Sequence, residues 1–260
     1  MFEFGANLSL MFGEVPLVER FAAARSAGFR AVEIQFPYDH DPDALAATAS
    51  RAGVDVVLIN APVAPDHPFG LACRTDRIDE FRAGFEHVER YAGALGARKI
   101  NVLAGQTDGL SLTECHTCLL GQLAWAADRL AARGIEVLLE ALNPFDVPRY
   151  AVGDLTTAES VLRACSGRVG FQFDVYHVAR MGHDPRERLD AMLPLVRHVQ
   201  FADAPGRHEP GTGALRFEPL WELLRDSAHE GCVSAEYRPQ RSTLESLGWL
   251  ESWRRFTTRR

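Results

Sequence analysis

The sequence holds a single lysine, Lys99, among 28 basic residues. Chemistry that needs a Schiff-base or phosphate-cradling lysine therefore has one candidate. No apolar run reaches about 18 residues, so no helical membrane span is predicted. Residues 1–12 are apolar yet lack the basic region and small-residue cleavage site of a secretory leader. Cysteines are few: Cys73, Cys115, Cys118, Cys165 and Cys232 make an odd count, too sparse for a disulfide framework in 260 residues. Reduced thiols and a cytoplasmic setting are the expectation. Positive charge is in deficit, 28 basic against 35 acidic residues for a formal charge of −7. A surface of that sign repels a phosphate backbone, which speaks against nucleic acid as a partner. A G-x-S-x-G elbow, a Walker A sequence and a glycine-rich first turn are all missing. A serine hydrolase, a P-loop nucleotide site and a dinucleotide-binding open sheet lose support accordingly.

What is present is a regular alternation. Eight β-prone apolar runs, at residues 2–8, 31–34, 54–59, 99–103, 136–139, 169–173, 198–201 and 232–235, are separated by helical patterns. Asp41-Pro42 and Asp184-Pro185 each place an N-cap before a proline at the first helical position. Ser111 with Glu114, Thr156 with Glu159 and Ser242 with Glu245 have the spacing of a capping box. One strand–helix unit roughly every 30 residues, with no linker-like stretch, predicts a parallel sheet covered by helices, and eight units predict a closed barrel. The expected architecture is a single (β/α)8 TIM barrel over residues 1–260. The longest irregular stretch, residues 61–77, follows the third strand and reads as a lid.

In such a barrel the active site lies at the C-terminal ends of the strands. Glu140, Asp174, Gln200 and Glu236 each fall at or near the end of a predicted strand, separated by 34, 26 and 36 residues, about one unit apiece. Three carboxylates and a carboxamide converging there would be strongly unfavourable if left bare, and a bound cation resolves that. The donors are all oxygen, which suits Mg²⁺ or Mn²⁺ better than Zn²⁺. His177 follows Asp174 by three residues and could hold a substrate polar group. Arg207 and His208, beside glycines on the loop after the seventh strand, would suit an anionic group on a small substrate. Cys115 and Cys118 match C-x-x-C but lie in the first turns of an apolar helical pattern, where packing is the better reading. Lys99 opens its strand, the wrong end of a barrel for an imine-forming aldolase. The arginine-rich end (Arg254, Arg255, Arg259, Arg260) reads as a solvated last helical turn.

An ordered series of short motifs resembles the hydroxypyruvate isomerase family of xylose-isomerase-like barrels: Phe4-Gly-Ala-Asn7-Leu-Ser9, Phe36-Pro-Tyr-Asp39, Glu140 with Asn143 and Asp146-Val-Pro148, Asp174-Val-Tyr-His177, Gln200 with Ala202-Asp203, Glu209-Pro-Gly-Thr-Gly213 and Glu236-Tyr-Arg-Pro239. The resemblance implies a divalent cation, Mg²⁺ or Mn²⁺, on Glu140, Asp174, Gln200 and Glu236, with Glu140 and Glu236 as the acid/base pair and no organic cofactor. His177, Arg207, Arg238, Asn7 and Asn60 are the implied substrate contacts. The implied reaction interconverts hydroxypyruvate and 2-hydroxy-3-oxopropanoate through an enediolate. A 2-oxo-tetronate isomerase, a ketose 3-epimerase and an inactive metal- or sugar-binding relative are the alternatives. The implied partner is a small hydroxy-oxo acid or sugar, with neither nucleic acid nor membrane; a homo-oligomer is left open. The chain departs from the family pattern at Ala141 and Arg149, where Pro and Gly are usual. It departs more seriously at Ala64-Pro-Asp-His-Pro-Phe-Gly70, which replaces a Gly-Asp-Trp and Gly-Glu-Arg-Gly pattern on the loop that helps enclose substrate.

Overall fold

The computed structural model describes residues 2–227, 229 and 231–258, of which 254–258 by backbone alone. The arginine side chains at the C-terminal end lie outside the described residues. Eight parallel strands, β1 (Glu3–Asn7), β2 (Ala31–Ile34), β3 (Asp55–Asn60), β4 (Lys99–Val102), β5 (Glu136–Glu140), β6 (Val169–Asp174), β7 (Val196–Phe201) and β8 (Cys232–Ala235), hydrogen-bond in chain order and close with β8 against β1. The barrel expected from the alternation is therefore the fold. Its helices are α1 (Leu17–Ser26), α2 (Pro42–Ala52), α3 (Ile78–Leu95), α4 (Leu112–Ala131), α5 (Leu155–Ala164), α6 (Val175–Arg180), α7 (Pro185–Met192), α8 (Glu218–Asp226) and α9 (Gly248–Thr258).

Local chemistry sets most helix starts. Asp41 accepts the Ala44 N–H and caps α2, which ends where Gly53 turns left-handed (φ +68°) at no steric cost. Ser111 and Glu114 form the full capping box of α4. The box expected at Thr156 does not form. Asp154 caps α5 instead, its carboxylate accepting the Thr157 N–H at 2.8 Å, so Thr156 falls inside the first turn. Ser242 and Glu245 do pair, but they open a 3₁₀ turn (Glu245–Leu247) ahead of α9.

Between helices and strands the core is apolar. On α3, Phe81, Phe85, Val88, Ala92 and Leu95 recur at helical spacing and are buried, each large side chain contributing about 1.5–3 kcal/mol. Phe4 of β1 and Phe201 of β7 each meet Trp221 of α8 and Trp249 of α9 in edge-on contacts near 5 Å. All five cysteines are free and buried, and Cys115 and Cys118 pack inward on α4 as expected. Lys99 sits at the N-terminal end of the barrel, its Nζ donating to the Arg197 carbonyl at 2.5 Å. No helix among the described residues is long and apolar enough to cross a membrane.

The loop over residues 61–77, expected as a lid, is packed against the loop that follows β4. The Cys73 N–H donates to the Ala104 carbonyl at 2.7 Å, and the buried Arg74 guanidinium donates to the Thr107 and Asp108 carbonyls. Gly70 (φ +103°) lies so close to the Leu103 carbonyl that an added Cβ would come within 2.1 Å of its oxygen. Backbone-to-backbone contact of this kind leaves no room for a side chain at position 70.

Candidate active site

Along a strand alternate side chains face one side, so strand-end residues at the C-terminal mouth have a partner two positions earlier on the same inner face. Glu140 ends β5 and is in register with Gln172; Asp174 ends β6 and is in register with Gln200. Glu236 follows β8, its N–H held by the Phe201 carbonyl at 2.9 Å. A cavity of about 470 Å³ opens at this end, lined by Glu140, His177, Arg207 and Glu236 together with Asn60 and Arg238.

The carboxylates are buried and crowded. Glu140 is pushed well above the usual carboxylate range by burial and by repulsion from Glu236 and Asp174. Burial also raises Asp174, against the pull of Arg207 and of backbone N–H groups from Tyr176 and His177. Glu236 is pushed up to about 8 by burial and by the charges of Asp174 and Glu33, with Arg207 opposing. Arg207 is the cation among them: its Nη2 lies 2.6 Å from Glu236 and 3.4 Å from Asp174, its guanidinium stacks 5.0 Å from the Tyr176 ring centroid, and its buried Nε has no partner.

His177 has a fixed tautomer. The Asn143 N–H donates to its Nδ1 at 3.1 Å, and the Asn143 amide, whose Oδ1 accepts the Phe145 and Asp146 N–H groups, turns its NH₂ to the same nitrogen at 2.8 Å. Burial, with the charge of Arg207 nearby, holds the ring well below the usual imidazole range and so neutral. Its proton therefore resides on Nε2, which faces Asp174 at 3.6 Å and Glu140 at 4.0 Å. Glu140, Asp174 and His177 are close enough for one ion, but a protonated Nε2 has no lone pair to give. His177 is a donor at this site, and the donors left for a cation are oxygens.

Those oxygens fit a hard divalent cation. Three raised carboxylates with a single arginine between two of them, and the unpartnered Oε1 of Gln172 at their feet, describe an excess of buried acceptors. Gln200, also expected as a ligand, is buried with its Oε1 accepting from Gln172 Nε2 at 2.6 Å and its Nε2 donating to Glu33 at 2.8 Å. Asn7 is likewise behind the cavity wall, donating from Nδ2 to Glu33 and Glu236 at 3.1 and 3.0 Å. Asn60 lines the cavity, and Arg238 stands exposed at the rim.

The glycine-rich loop after β7 does not cradle a ligand anion. The Gly211 and Gly213 N–H groups both donate to the Asp203 carboxylate at 2.9 Å, and Asp203 also accepts from Ala204 and Leu215. The anion is part of the loop itself. His208 turns its Nδ1 to the Arg238 carbonyl, so of the basic pair only Arg207 enters the cavity.

A family model described as xylose isomerase-like TIM barrel matches residues 21–253. The chain belongs to that family. Within it the chain is 35 % identical over 260 residues to hydroxypyruvate isomerase of Escherichia coli (strain K12), covering 98 % of this chain and all of the relative. It is also 35 % identical over 256 residues to 2-oxo-tetronate isomerase of Cupriavidus necator, covering 96 % and 98 %. A solved structure described as AP endonuclease, family 2, from Brucella melitensis superposes with a TM-score of 0.94 at 36 % identity, covering 97 % of this chain and 99 % of that one. The names of the sequence relatives in the family support an isomerase.

Sequence reasoning missed the layer behind the strand ends: Glu33, Asn101, Gln172 and His198, all buried. The signal was available. Gln172 precedes Asp174, and His198 precedes Gln200, by the two residues that put both on one face.

Proposed function

We propose that the protein is a metal-dependent aldose–ketose isomerase, an intramolecular oxidoreductase, whose substrate is a short hydroxy-oxo acid, with hydroxypyruvate as first choice and 2-hydroxy-3-oxopropanoate as product. The observation that carries this reading is the pair of buried, raised glutamates, Glu140 and Glu236, facing one cavity from β5 and the end of β8. Glu140, Asp174, Gln200 and Glu236 would hold Mg²⁺ or Mn²⁺, which supplies polarisation of the substrate carbonyl and the adjacent hydroxyl. One glutamate takes the proton from the carbon bearing that hydroxyl, and the other returns a proton to the neighbouring carbon. His177, neutral and protonated on Nε2, donates to a substrate oxygen. Arg207 and, at the rim, Arg238 are the cations for a substrate carboxylate, and Asn60 offers an amide.

The 2-oxo-tetronate reading uses the same machinery and draws on the Cupriavidus relative. A ketose 3-epimerase draws less support, because the cavity wall from the β1–β4 loops is mainly Leu10, Phe36, Pro68, Phe69 and Leu103, with Gln35 and Asn60 the polar exceptions. That wall offers few partners for the extra hydroxyls of a sugar.

The test is turnover by purified protein loaded with Mg²⁺ or Mn²⁺ against hydroxypyruvate, 2-oxo-tetronates, ketoses and an abasic-site duplex, with an EDTA-treated control. Isomerisation of a hydroxy-oxo acid, abolished by EDTA and restored by the ion, is the expected result. Full activity without metal, or incision of DNA with no isomerisation, overturns it. Solvent deuterium should appear at the exchanged carbon. Complete retention of the original hydrogen points to a hydride shift and removes the acid/base roles.

A further inference from the structure

Behind the cavity lies one more buried acid, Glu33, which contacts no substrate space yet is linked to both proposed acid/base glutamates. Its Oε1 meets His198 Nε2, and its Oε2 accepts from Asn7 Nδ2 at 3.1 Å and Gln200 Nε2 at 2.8 Å. From there two arms run outward. Asn7 spends its other N–H on Glu236 Oε1 at 3.0 Å. Gln200 turns its Oε1 to Gln172 Nε2 at 2.6 Å, and the same nitrogen donates to Glu140 Oε2 at 3.0 Å.

We infer that Glu33, held by His198, is a positioning residue for the reaction: it decides which way the Gln200 and Asn7 amides face, and through them where Glu140 and Glu236 stand. A carboxylate only accepts. Each amide must therefore present its NH₂ to Glu33, since a reversed amide would set a carbonyl oxygen against a carboxylate oxygen. Gln200 is thereby obliged to turn its oxygen, the atom a cation can use, away from Glu33 and towards the acids. Asn7 is obliged to face both Glu33 and Glu236 with its nitrogen, and its Oδ1 is fixed by the Ser9 N–H at 3.0 Å. Ligand-orienting partners of this kind typically change metal affinity or activity by about 10- to 100-fold when removed.

The inference rests on the cation and acid/base roles proposed above, and its test reads metal binding separately from turnover. Glu33→Gln keeps the volume but places an NH₂ among donors. Mn²⁺ binding to the metal-free protein, followed by electron paramagnetic resonance, should weaken by about tenfold or more. At saturating metal, kcat should fall with little change in KM. In an Asn7→Ala, Gln200→Ala background the same change should cost less than about threefold in Mn²⁺ affinity, because both amides through which Glu33 acts are already gone. Equal losses in both backgrounds overturn the inference. Should Glu33→Gln not fold, His198 offers the second test. His198→Gln retains a donor to Glu33 and should stay within about threefold of wild type, whereas His198→Leu should behave like the loss of Glu33. Indistinguishable behaviour of those two variants also overturns it. A wild-type protein that binds Mn²⁺ and passes these tests but isomerises no hydroxy-oxo acid sinks the proposed reaction and leaves the role of Glu33 in metal binding standing.

Discussion

The two halves of the barrel mouth share one backbone geometry and differ in chemistry. Every ionisable residue lining the cavity comes from β5 to β8 and the segments that follow them: Glu140, Asp146, Tyr176, His177, Arg207, Glu236 and Arg238. The β1–β4 half contributes Leu10, Gln35, Phe36, Asn60, Pro68, Phe69 and Leu103, none of which titrates. One half can move protons and hold a cation. The other can shape the space, exclude water and, through Gln35 and Asn60, form neutral hydrogen bonds. The neutral half also carries Pro68 and Phe69 of the segment 64–70, so on the proposed reading the charged half would set the reaction type and the neutral half the substrate choice.

Breaking the charged half should cost most. Glu236→Gln and Glu140→Gln each keep an oxygen and nearly the same volume but lose the proton-accepting group, so kcat should fall by roughly 10²- to 10⁴-fold while circular dichroism shows an intact fold. The double variant should lose far less than the product of the two factors, because the pair acts as one unit. A double loss equal to the product would separate their roles.

Arg207→Ala removes the cation shared by Glu236 and Asp174, and with it the proposed partner of a substrate carboxylate. KM for hydroxypyruvate should rise by roughly 10- to 150-fold, the equivalent of about 1.5–3 kcal/mol for a charge-assisted bond. KM for neutral ketoses, where measurable, should move little. Equal changes in both would assign Arg207 to holding the carboxylates and not to the substrate.

The charged half should also make the metal-free protein sensitive to pH. Glu236 is raised from its ordinary value to about 8, so the folded state holds a proton that the unfolded state has released. Stability from this group is complete below the unfolded value and is lost as pH rises to the folded one. The apo melting temperature should therefore fall by several degrees between pH 6.5 and 8.5, opposed only near pH 6.5, where the unfolded-state imidazole of His177, a residue neutral when folded, is still losing its proton. Saturating Mg²⁺ should flatten the profile. A flat apo profile would mean that Glu236 is ionised throughout.

The smallest effect belongs to the neutral half. Phe69→Ala should shift KM for hydroxypyruvate by roughly fourfold, the worth of about one buried methylene, and should relax selectivity towards longer substrates. A drop in kcat comparable to that of Glu236→Gln would show that the wall takes part in the chemistry and would end the division between halves.

Much of this was legible before folding. Eight β-prone runs, the caps at Asp41 and Ser111, and acids at successive strand ends all express themselves over a few residues, where propensity, capping and alternation act. Glu33, Asn101, Gln172 and His198 were not read as site residues, because alternation shows which residues share a face without showing that the face is the inside of a barrel. The loop of residues 61–77 reads as a lid from its prolines and glycines. Whether it moves depends on what it lies against, and here that is the backbone of residues 103–108. Thr156 lost its capping role to Asp154, two residues away, since both offer a side-chain oxygen and only the course of the chain after β5 selects between them.

The sequence by itself determined the number of strand–helix units, the barrel they close into and the strand ends at which acids stand, since each follows from short-range patterning. Only the tertiary structure decided that Asn7 touches Glu236 across 229 residues, that Asn143 fixes the proton of His177 on the nitrogen facing the acids, and that the loop glycines bind Asp203 rather than a ligand. These depend on ring closure and on which buried donor reaches which acceptor first. Such a competition is settled in three dimensions, because a buried polar group without a partner costs more free energy than any local preference supplies.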